Sequence, residues 1–385
     1  MADRRMRKRE GQQEIFFDYT LLFIVLFLLA FGLVMLYSTS SYDAYIDFED
    51  SAYYLKKQAG ATVLGLIFML VVSQIPYHFW ERFASLGYLV SIVLILLIIP
   101  FGIEANGAKR WLRVMGISLQ PAEVAKVGMI LFLASLVCRM GKNIRTGKGF
   151  LTMLLIPLPV CGLIYFITNN LSSAVIIFGI AALMLFVSSP DYKRFILIAL
   201  AGIAFCALMV WLIVNAGESE GLGFRGTRIL AWLDPEAYAG DKGFQTLQAL
   251  YAIGSGGIWG KGLGQSMQKL GFLPEAQNDM IFSIICEELG LFGASAIILL
   301  FVLLIWRFMV IANNASDLFG AMLVVGVMGH IAIQVILNIA VVTNTIPNTG
   351  ISLPFISYGG SSVLFLLIEI GIVLSVGKGI RLRDL

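Results

Sequence analysis

Charge is what this sequence has least of. Only 13% of its 385 residues are Asp, Glu, Lys or Arg, where a soluble domain carries roughly a quarter. Hydrophobic residues make up 59%, and a water-soluble chain would need far more polar surface to cover its core. A cytosolic enzyme, a disordered chain and a nucleic-acid binder are excluded together. The 27 basic and 24 acidic residues leave a net charge of +3, so the location of the charge matters more than its sum. Histidine is nearly absent: His78 and His330 stand too far apart in sequence to found a zinc site, and neither suggests a His–Ser or His–Cys catalytic unit. The four cysteines, Cys138, Cys161, Cys206 and Cys286, sit in apolar runs without metal-ligand spacing and read as small packing residues.

Long apolar runs are what the sequence has. A bilayer core takes about 20 apolar residues per helix. Ten segments meet that length: 18–37, 59–75, 82–103, 122–139, 150–168, 172–189, 194–215, 279–306, 318–342 and 361–377. The chain therefore reads as all-α, a polytopic membrane protein of about ten transmembrane helices in one domain spanning 1–385. The first segment lacks a small-residue cleavage pattern and is followed by the others, so it is not a cleavable signal.

Lys and Arg set the orientation. Arg4, Arg5, Arg7, Lys8 and Arg9 share a side with Arg82, Arg139, Lys142, Arg145, Lys148, Lys193, Arg194, Arg307, Lys378, Arg381 and Arg383. The opposite short loops hold only Lys56, Lys57, Lys109, Arg110 and Arg113. Both termini are expected in the cytoplasm, with a basic N-terminus over 1–17 and a large outer loop, the fourth, over 216–278. No repeat of 20–50 residues and no inverted halves appear, which counts against many secondary transporters. Within the long loop, Asp241–Trp259 has the spacing of a short amphipathic helix, lying either at the membrane interface or against the other spans.

The polar groups that break the apolar pattern share a side. Asn106-Gly-Ala-Lys109-Arg110-Trp111, Gln120-Pro-Ala-Glu123, Asn169-Asn170, Pro274-Glu275-Ala-Gln-Asn278-Asp279 and Ser357-Tyr-Gly-Gly-Ser361-Ser362 all fall at the outer ends of spans or in outer loops. One outward-facing site would gather them. Asp279 opens the eighth segment, where a carboxylate either caps the helix or, partly buried, gains base strength. Glu275 is a second carboxylate within reach. Glu123 and Lys126 lie at i, i+3 on one helix face, either as an ion pair bracing the bundle or as substrate contacts. Glu287, Glu288, Glu369, Gln334 and Asn338 read first as structural. The start of the last segment, with Ser357, Ser361 and Ser362, offers free amides and hydroxyls for an anion, or simply an N-cap. With Lys109, Arg110 and Arg113 nearby in topology, a doubly charged ligand such as a diphosphate fits.

These segments carry a resemblance. Asn106-Gly-Ala-Lys-Arg-Trp111, Gln120-Pro-Ala-Glu123 with Lys126, Gly254-Ser-Gly-Gly257 through Gly260-Lys-Gly262, Leu273-Pro-Glu-Ala-Gln-Asn-Asp279-Met-Ile-Phe282, Glu287-Glu-Leu-Gly290, and Asn348-Thr-Gly350 through Pro354-Phe-Ile-Ser-Tyr-Gly-Gly-Ser-Ser362 together resemble the shape, elongation, division and sporulation (SEDS) family. The resemblance implies an inverting peptidoglycan glycosyltransferase of the bacterial cytoplasmic membrane, acting in cell division or cell shape. Its substrate would be lipid II, the undecaprenyl-diphosphate disaccharide-peptide. Its partners would be a class B penicillin-binding protein and other divisome or elongasome membrane proteins, with no nucleic acid.

The resemblance makes Asp279 the catalytic carboxylate. It makes Lys109, Arg110, Glu123, Lys126, Asn170, Glu275, Ser357, Ser361 and Ser362 the substrate-binding set. No resident metal site is implied; a divalent cation, Mg or Mn, would act only alongside the diphosphate. Ala122 replaces a family serine, and Asn170 stands where the family often has an aspartate. That amide and the short tail lean toward the FtsW branch. The alternative function is a lipid II flippase, which an intramembrane Glu123–Lys126 pair would serve equally well. A scaffold that only positions a partner synthase is a third reading.

Overall fold

The computed structural model describes residues 17–105, 108–114, 117–189, 191–216, 223–240 and 242–380. The basic residues 4–9, Asn106, Asp241, Arg381 and Arg383 lie outside this set.

Ten helices among the described residues are long and apolar enough to cross a membrane. The first two spans are α1 (Tyr19–Phe48) and α2 (Tyr53–Gln74), followed by the short connecting helix α3 (His78–Arg82). The third span is α4 (Ala84–Leu96), continued by α5 (Ile98–Phe101). A meander of β1 (Ile103–Ala105), β2 (Ala108–Val114) and β3 (Ile117–Leu119) leads to the fourth span, α6 (Pro121–Met140). The fifth span is α7 (Gly147–Leu155) joined to α8 (Pro157–Thr168), the sixth α9 (Leu171–Ser188) and the seventh α10 (Tyr192–Ala216). Two loop helices follow, α11 (Gly223–Leu233) and α12 (Lys242–Gly256). The last three spans are α13 (Ile281–Asn313), α14 (Leu318–Val342) and α15 (Gly360–Lys378).

The expected spans match in number and order, but two features depart from continuous helix and loop. The first is the antiparallel sheet between α5 and α6, with Glu104 opposite Lys109 and Arg113 opposite Ser118. Alternation along Lys109-Arg110-Trp111-Leu112-Arg113 sends successive side chains to opposite faces, so Leu112 is buried while Arg113 is exposed. The second is a break inside the eighth span. Gly290 adopts φ 67°, ψ −168° within α13, a backbone state open to glycine. The loop after α12 docks into that break: Leu291 N–H bonds Gly257 O at 2.9 Å and Phe292 N–H bonds Ile258 O at 3.1 Å. In return, Lys261 and Gly262 amides bond the Glu287 and Glu288 carbonyls, each at 2.9 Å.

Ion pairs lock the same junction. Glu287 takes the Lys261 ammonium at 2.7 Å, and Glu288 takes Lys269 at 2.7 Å together with Ser38 of α1 at 2.8 Å. These glutamates are structural, as the sequence indicated, and their partners come from the long loop. Helix α12 packs along α13, which settles its placement against the spans.

The connection between α14 and α15 is also not a surface loop. Ile351, Leu353, Phe355, Ile356 and Ser357 are all buried, so this segment dips into the bundle. Backbone at that depth needs internal partners, and it obtains them from Gln58, Gln334 and Asn338. By contrast α10 stands apart: none of its apolar window is buried. It touches the bundle at its base, where Phe195 meets Phe150 and Phe186 at ring separations of 5.3 and 5.1 Å, and it packs on α11 at its other end.

Candidate active site

The turn before α13 is held residue by residue. Gln277 O accepts the Tyr358 amide at 2.9 Å. Asn278 O accepts the Ser357 hydroxyl at 2.6 Å. Asp279 O accepts Asn338 Nδ2 at 2.8 Å. Three successive carbonyls are thus pinned from α14 and the dipping loop. Glu275, at φ 57°, receives the Asn278 amide on its own carbonyl at 2.9 Å and the Asn278 side chain on its carboxylate.

Asp279 is carried by this rigid turn and does not cap the helix. The N-cap position of α13 is Met280, and it makes no side-chain capping bond. The Asp279 side chain is only 7% exposed, and its Oδ1 has no hydrogen-bond partner among the described residues. Burial is the main cause that pushes its pKa from 3.8 to about 7, and the nearby Glu275 carboxylate adds to it. Its own amide and the Arg228 guanidinium pull the other way, but less. A buried carboxyl with an unsatisfied oxygen is costly, and a carboxyl that titrates near neutrality is suited to proton transfer.

The surroundings of Asp279 are polar and cationic. Gly350, at φ 69°, lies close enough that a Cβ there would stand 3.7 Å from Asp279 Oδ2. The flanking Asn348 bonds Gln245 of α12 at 2.8 Å, and Ser172 of α9 bonds Thr349 O. Arg110 of β2 donates from Nε to Thr168 O at 3.1 Å and from Nη2 to Asn169 O at 3.2 Å. Arg228 of α11 donates to Asn348 O at 3.4 Å. Reading the sequence missed Arg228. Its signal was a basic residue on a short amphipathic stretch of the long loop, close in sequence to Trp232.

The expected site residues divide by location. Glu275 and Asp279 share one turn and interact through their charges, whereas Arg110 is held on β2 against the end of α8, near Arg228, and Lys109 is exposed on the same strand. Asn170 serves as N-cap of α9, accepting the Ser173 amide at 3.0 Å. Ser357 uses its hydroxyl twice, toward Asn278 O and from the Leu353 amide at 2.7 Å, so it positions the Asp279 turn. The N-cap of α15 is Gly359 rather than a serine. Ser361 is buried with an unpartnered hydroxyl, and Ser362 is half-buried.

Glu123 and Lys126 form a 2.8 Å ion pair inside α6, with Lys126 reaching Gln334 at 3.4 Å. Gln334 in turn contacts His330 at 2.9 Å and donates to Ser352 O at 3.0 Å, and His330 contacts Glu369 at 2.8 Å. This buried chain ends on the dipping loop. Among the described residues, no three His, Cys, Asp or Glu side chains gather as a metal site. Asp279 and Glu275 do come together, and magnesium typically needs just one or two carboxylates plus substrate phosphates.

Comparison with known proteins bears on the chain as a whole. Residues 19–381 match the model of the FtsW, RodA and SpoVE family, described as cell cycle proteins. The chain is 39% identical to stage V sporulation protein E of Bacillus subtilis over 364 residues, covering 94% of this chain and 97% of that one. It is 38% identical to the probable peptidoglycan glycosyltransferase FtsW of Trichlorobacter lovleyi, covering 96% and 95%. Among solved structures, a chain from a peptidoglycan synthase complex coordinating polymerization and crosslinking superposes with a TM-score of 0.76 at 27% identity, covering 94% and 98%. The rod shape determining protein RodA of Thermus thermophilus superposes at 0.66 with 26% identity, covering 94% and 97%.

Proposed function

The chain belongs to the FtsW, RodA and SpoVE family of cell cycle proteins, also called the SEDS family, and from that membership we propose that it polymerises lipid II into glycan strands at the outer face of the cytoplasmic membrane. It is a multi-pass protein of the bacterial inner membrane and a peptidoglycan glycosyltransferase. The observation that carries the proposal to a particular group is Asp279, a buried carboxyl with an open oxygen and a pKa of about 7.

The chemistry follows from that group. The acceptor sugar's 4-hydroxyl oxygen attacks the donor's anomeric carbon while Asp279 Oδ1 takes the hydroxyl proton. The bond from the anomeric carbon to the diphosphate oxygen breaks, and the diphosphate leaves with the electron pair from the opposite face. One displacement inverts the anomeric centre, so an α-linked donor gives a β-linked product, without a covalent enzyme intermediate, by analogy with inverting carbohydrate chemistry. Arg110 and Lys109 stabilise the charge that builds on the leaving group. Glu275 raises the Asp279 pKa by its charge. A divalent cation, when bound, would be held by Glu275 with the diphosphate oxygens and supply further charge neutralisation.

Membrane placement supports a lipid-linked donor. The span α10 leaves its apolar length unburied and is followed in sequence by α11, which contributes Arg228 near Asp279. Partnership with a class B penicillin-binding protein is the fitting arrangement, since a structural relative comes from a complex joining polymerization with crosslinking. Co-purification of the chain with its host's class B enzyme tests it. The flippase reading has less support: the intramembrane Glu123 and Lys126 are buried and paired with each other at 2.8 Å. Polymer formation by purified chain in detergent, where there are no two leaflets, with Asp279→Asn as control, separates the two.

A further inference from the structure

The long loop carries an apolar surface that the fold leaves uncovered. Ile258 is 63% and Trp259 79% exposed, and in the span beside them Leu291 is 63% and Phe292 68% exposed. These four form one surface. The Leu291 and Phe292 amides bond the Gly257 and Ile258 carbonyls, and the Trp259 and Phe292 rings stand 6.0 Å apart. Leu263 and Met267, further along the loop, are exposed as well. Large apolar side chains gathered in the open mark a contact with another apolar phase, protein or membrane.

Their height in the bundle identifies that phase. Helices α1 and α13 run antiparallel and are pinned to each other at two levels. At one, Arg307 holds Asp18 at 2.7 Å. At the other, Ser38 bonds Glu288 at 2.8 Å, and the Lys269 ammonium reaches both. Twenty residues separate Asp18 from Ser38, a helical rise of about 30 Å. Seventeen separate Arg307 from the break at Gly290, a rise of about 26 Å. The hydrocarbon core of a bilayer is about 30 Å thick. With the Asp18–Arg307 pair at its inner boundary, the Ser38–Glu288–Lys269 cluster and the loop bound to it stand at the outer one. Asn338, which bonds Asp279 O, lies twenty-one residues along α14 from Asp317 at its inner end, about 31 Å, so the Asp279 turn is at a similar height.

The surface also continues down the span. Phe292, Leu299, Val302, Trp306 and Met309 are all exposed, and their spacings of seven, three, four and three put them on one helix face. The loop extends this lipid-side face at its outer end. Its backbone suits that place, because irregular segments beside hydrocarbon need internal partners for their polar groups. The Gly257 and Ile258 carbonyls and the Lys261 and Gly262 amides are all bonded to α13, and the Lys261 charge is paired with Glu287. Tryptophan collects at this depth, with its ring among acyl chains and its N–H toward the headgroups.

We propose that Ile258, Trp259, Leu263 and Met267, with Leu291 and Phe292, form a lipid-binding surface that seats the long loop in the outer leaflet, at the boundary between acyl chains and headgroups. This stretch of the outer loop then lies in the membrane interface instead of above it, level with the turn that carries Asp279.

Fluorescence quenching tests this on the full-length chain in phosphatidylcholine nanodiscs. The Trp259 signal is the difference between wild type and Trp259→Phe, which subtracts the other tryptophans. The quenchers are lipids brominated near the carbonyl end of the acyl chain, lipids brominated near its methyl end, and acrylamide in the water. The shallow bromines should quench Trp259 roughly twofold or more beyond the deep ones, and acrylamide should quench it less than free tryptophan. Met267→Trp, with Trp259 kept, should add a second component quenched by the shallow bromines, and it keeps the test valid if Trp259→Phe does not fold. Quenching by acrylamide and by neither lipid would put the loop in water. Stronger quenching by the deep bromines would put it inside the hydrocarbon, and protection from all three would mean that protein, such as a second copy of the chain, covers it. Each of these outcomes overturns the proposal. Polymerisation does not enter the readout, so the result is independent of the glycosyltransferase reading.

Discussion

At Asp279, function and stability oppose each other through one proton. Its folded pKa of about 7 stands above the ordinary 3.8, so the folded state holds a proton that the unfolded chain has released. Stability from this group is full below pH ~4 and declines as pH rises toward about 7 and the buried carboxylate forms. The base, however, needs the ionised form. With donor and acceptor subsaturating, kcat/KM should therefore climb from acid pH and level off above an apparent pKa near 7, as a polymerisation pH series would record. Asp279→Asn removes the charge and keeps the shape. At pH 8 it should unfold at higher temperature than wild type, the ionisation penalty relieved being about 4 kcal/mol at most. At pH 4 the two melting temperatures should converge. A variant less stable than wild type at pH 8 would mean that the Asp279 carboxylate is well solvated.

At the scale of elements, the spans were legible because hydropathy reports what lipid demands. The ion pair on α6 was legible as a pair because i, i+3 residues share a helix face. With both partners buried and 2.8 Å apart, Lys126→Met should cost about 3–5 kcal/mol by stranding Glu123. The double variant Glu123→Gln with Lys126→Met should recover most of that in thermal unfolding. Failure of the double variant to recover would give Lys126 further essential partners, with Gln334 first among them.

Other features were not legible. The break at Gly290 hides in a segment long and apolar enough to read as one unbroken span, since only the docking of residues 257–262 makes glycine necessary there. The burial of 351–357 depends on acceptors and donors from Gln58, Gln334 and Asn338, far apart in sequence. The amphipathic stretch around Arg228 does not by itself single that residue out, because its place is set by the Asn348 carbonyl that holds it. A helix cap was one of two readings for Asp279 and for Ser361 or Ser362, and the cap positions fall instead on Met280 and Gly359.

For the whole molecule, a compact set of spans carries the site while one span stands aside. Cys206 on α10 is exposed, whereas Cys161 and Cys286 are buried. In lipid nanodiscs a membrane-permeant maleimide should label Cys206 much faster than the other two, and a spin label there should report a lipid-facing, mobile site. Protection of Cys206 equal to that of Cys286 would mean that α10 packs into the bundle. An open α10 beside a rigid catalytic turn fits a substrate whose tail stays in the bilayer while its sugar chemistry takes place at the outer surface.

The most direct test of the account is chain elongation from lipid II by the purified protein in detergent, with its class B partner included. Wild type should give glycan polymer, and Asp279→Asn, folded and at equal concentration, should fall by a factor of about 100 or more. Polymer from the asparagine variant at the wild-type rate, or lipid II translocation across liposomes by a wild-type protein that makes no polymer, would contradict it.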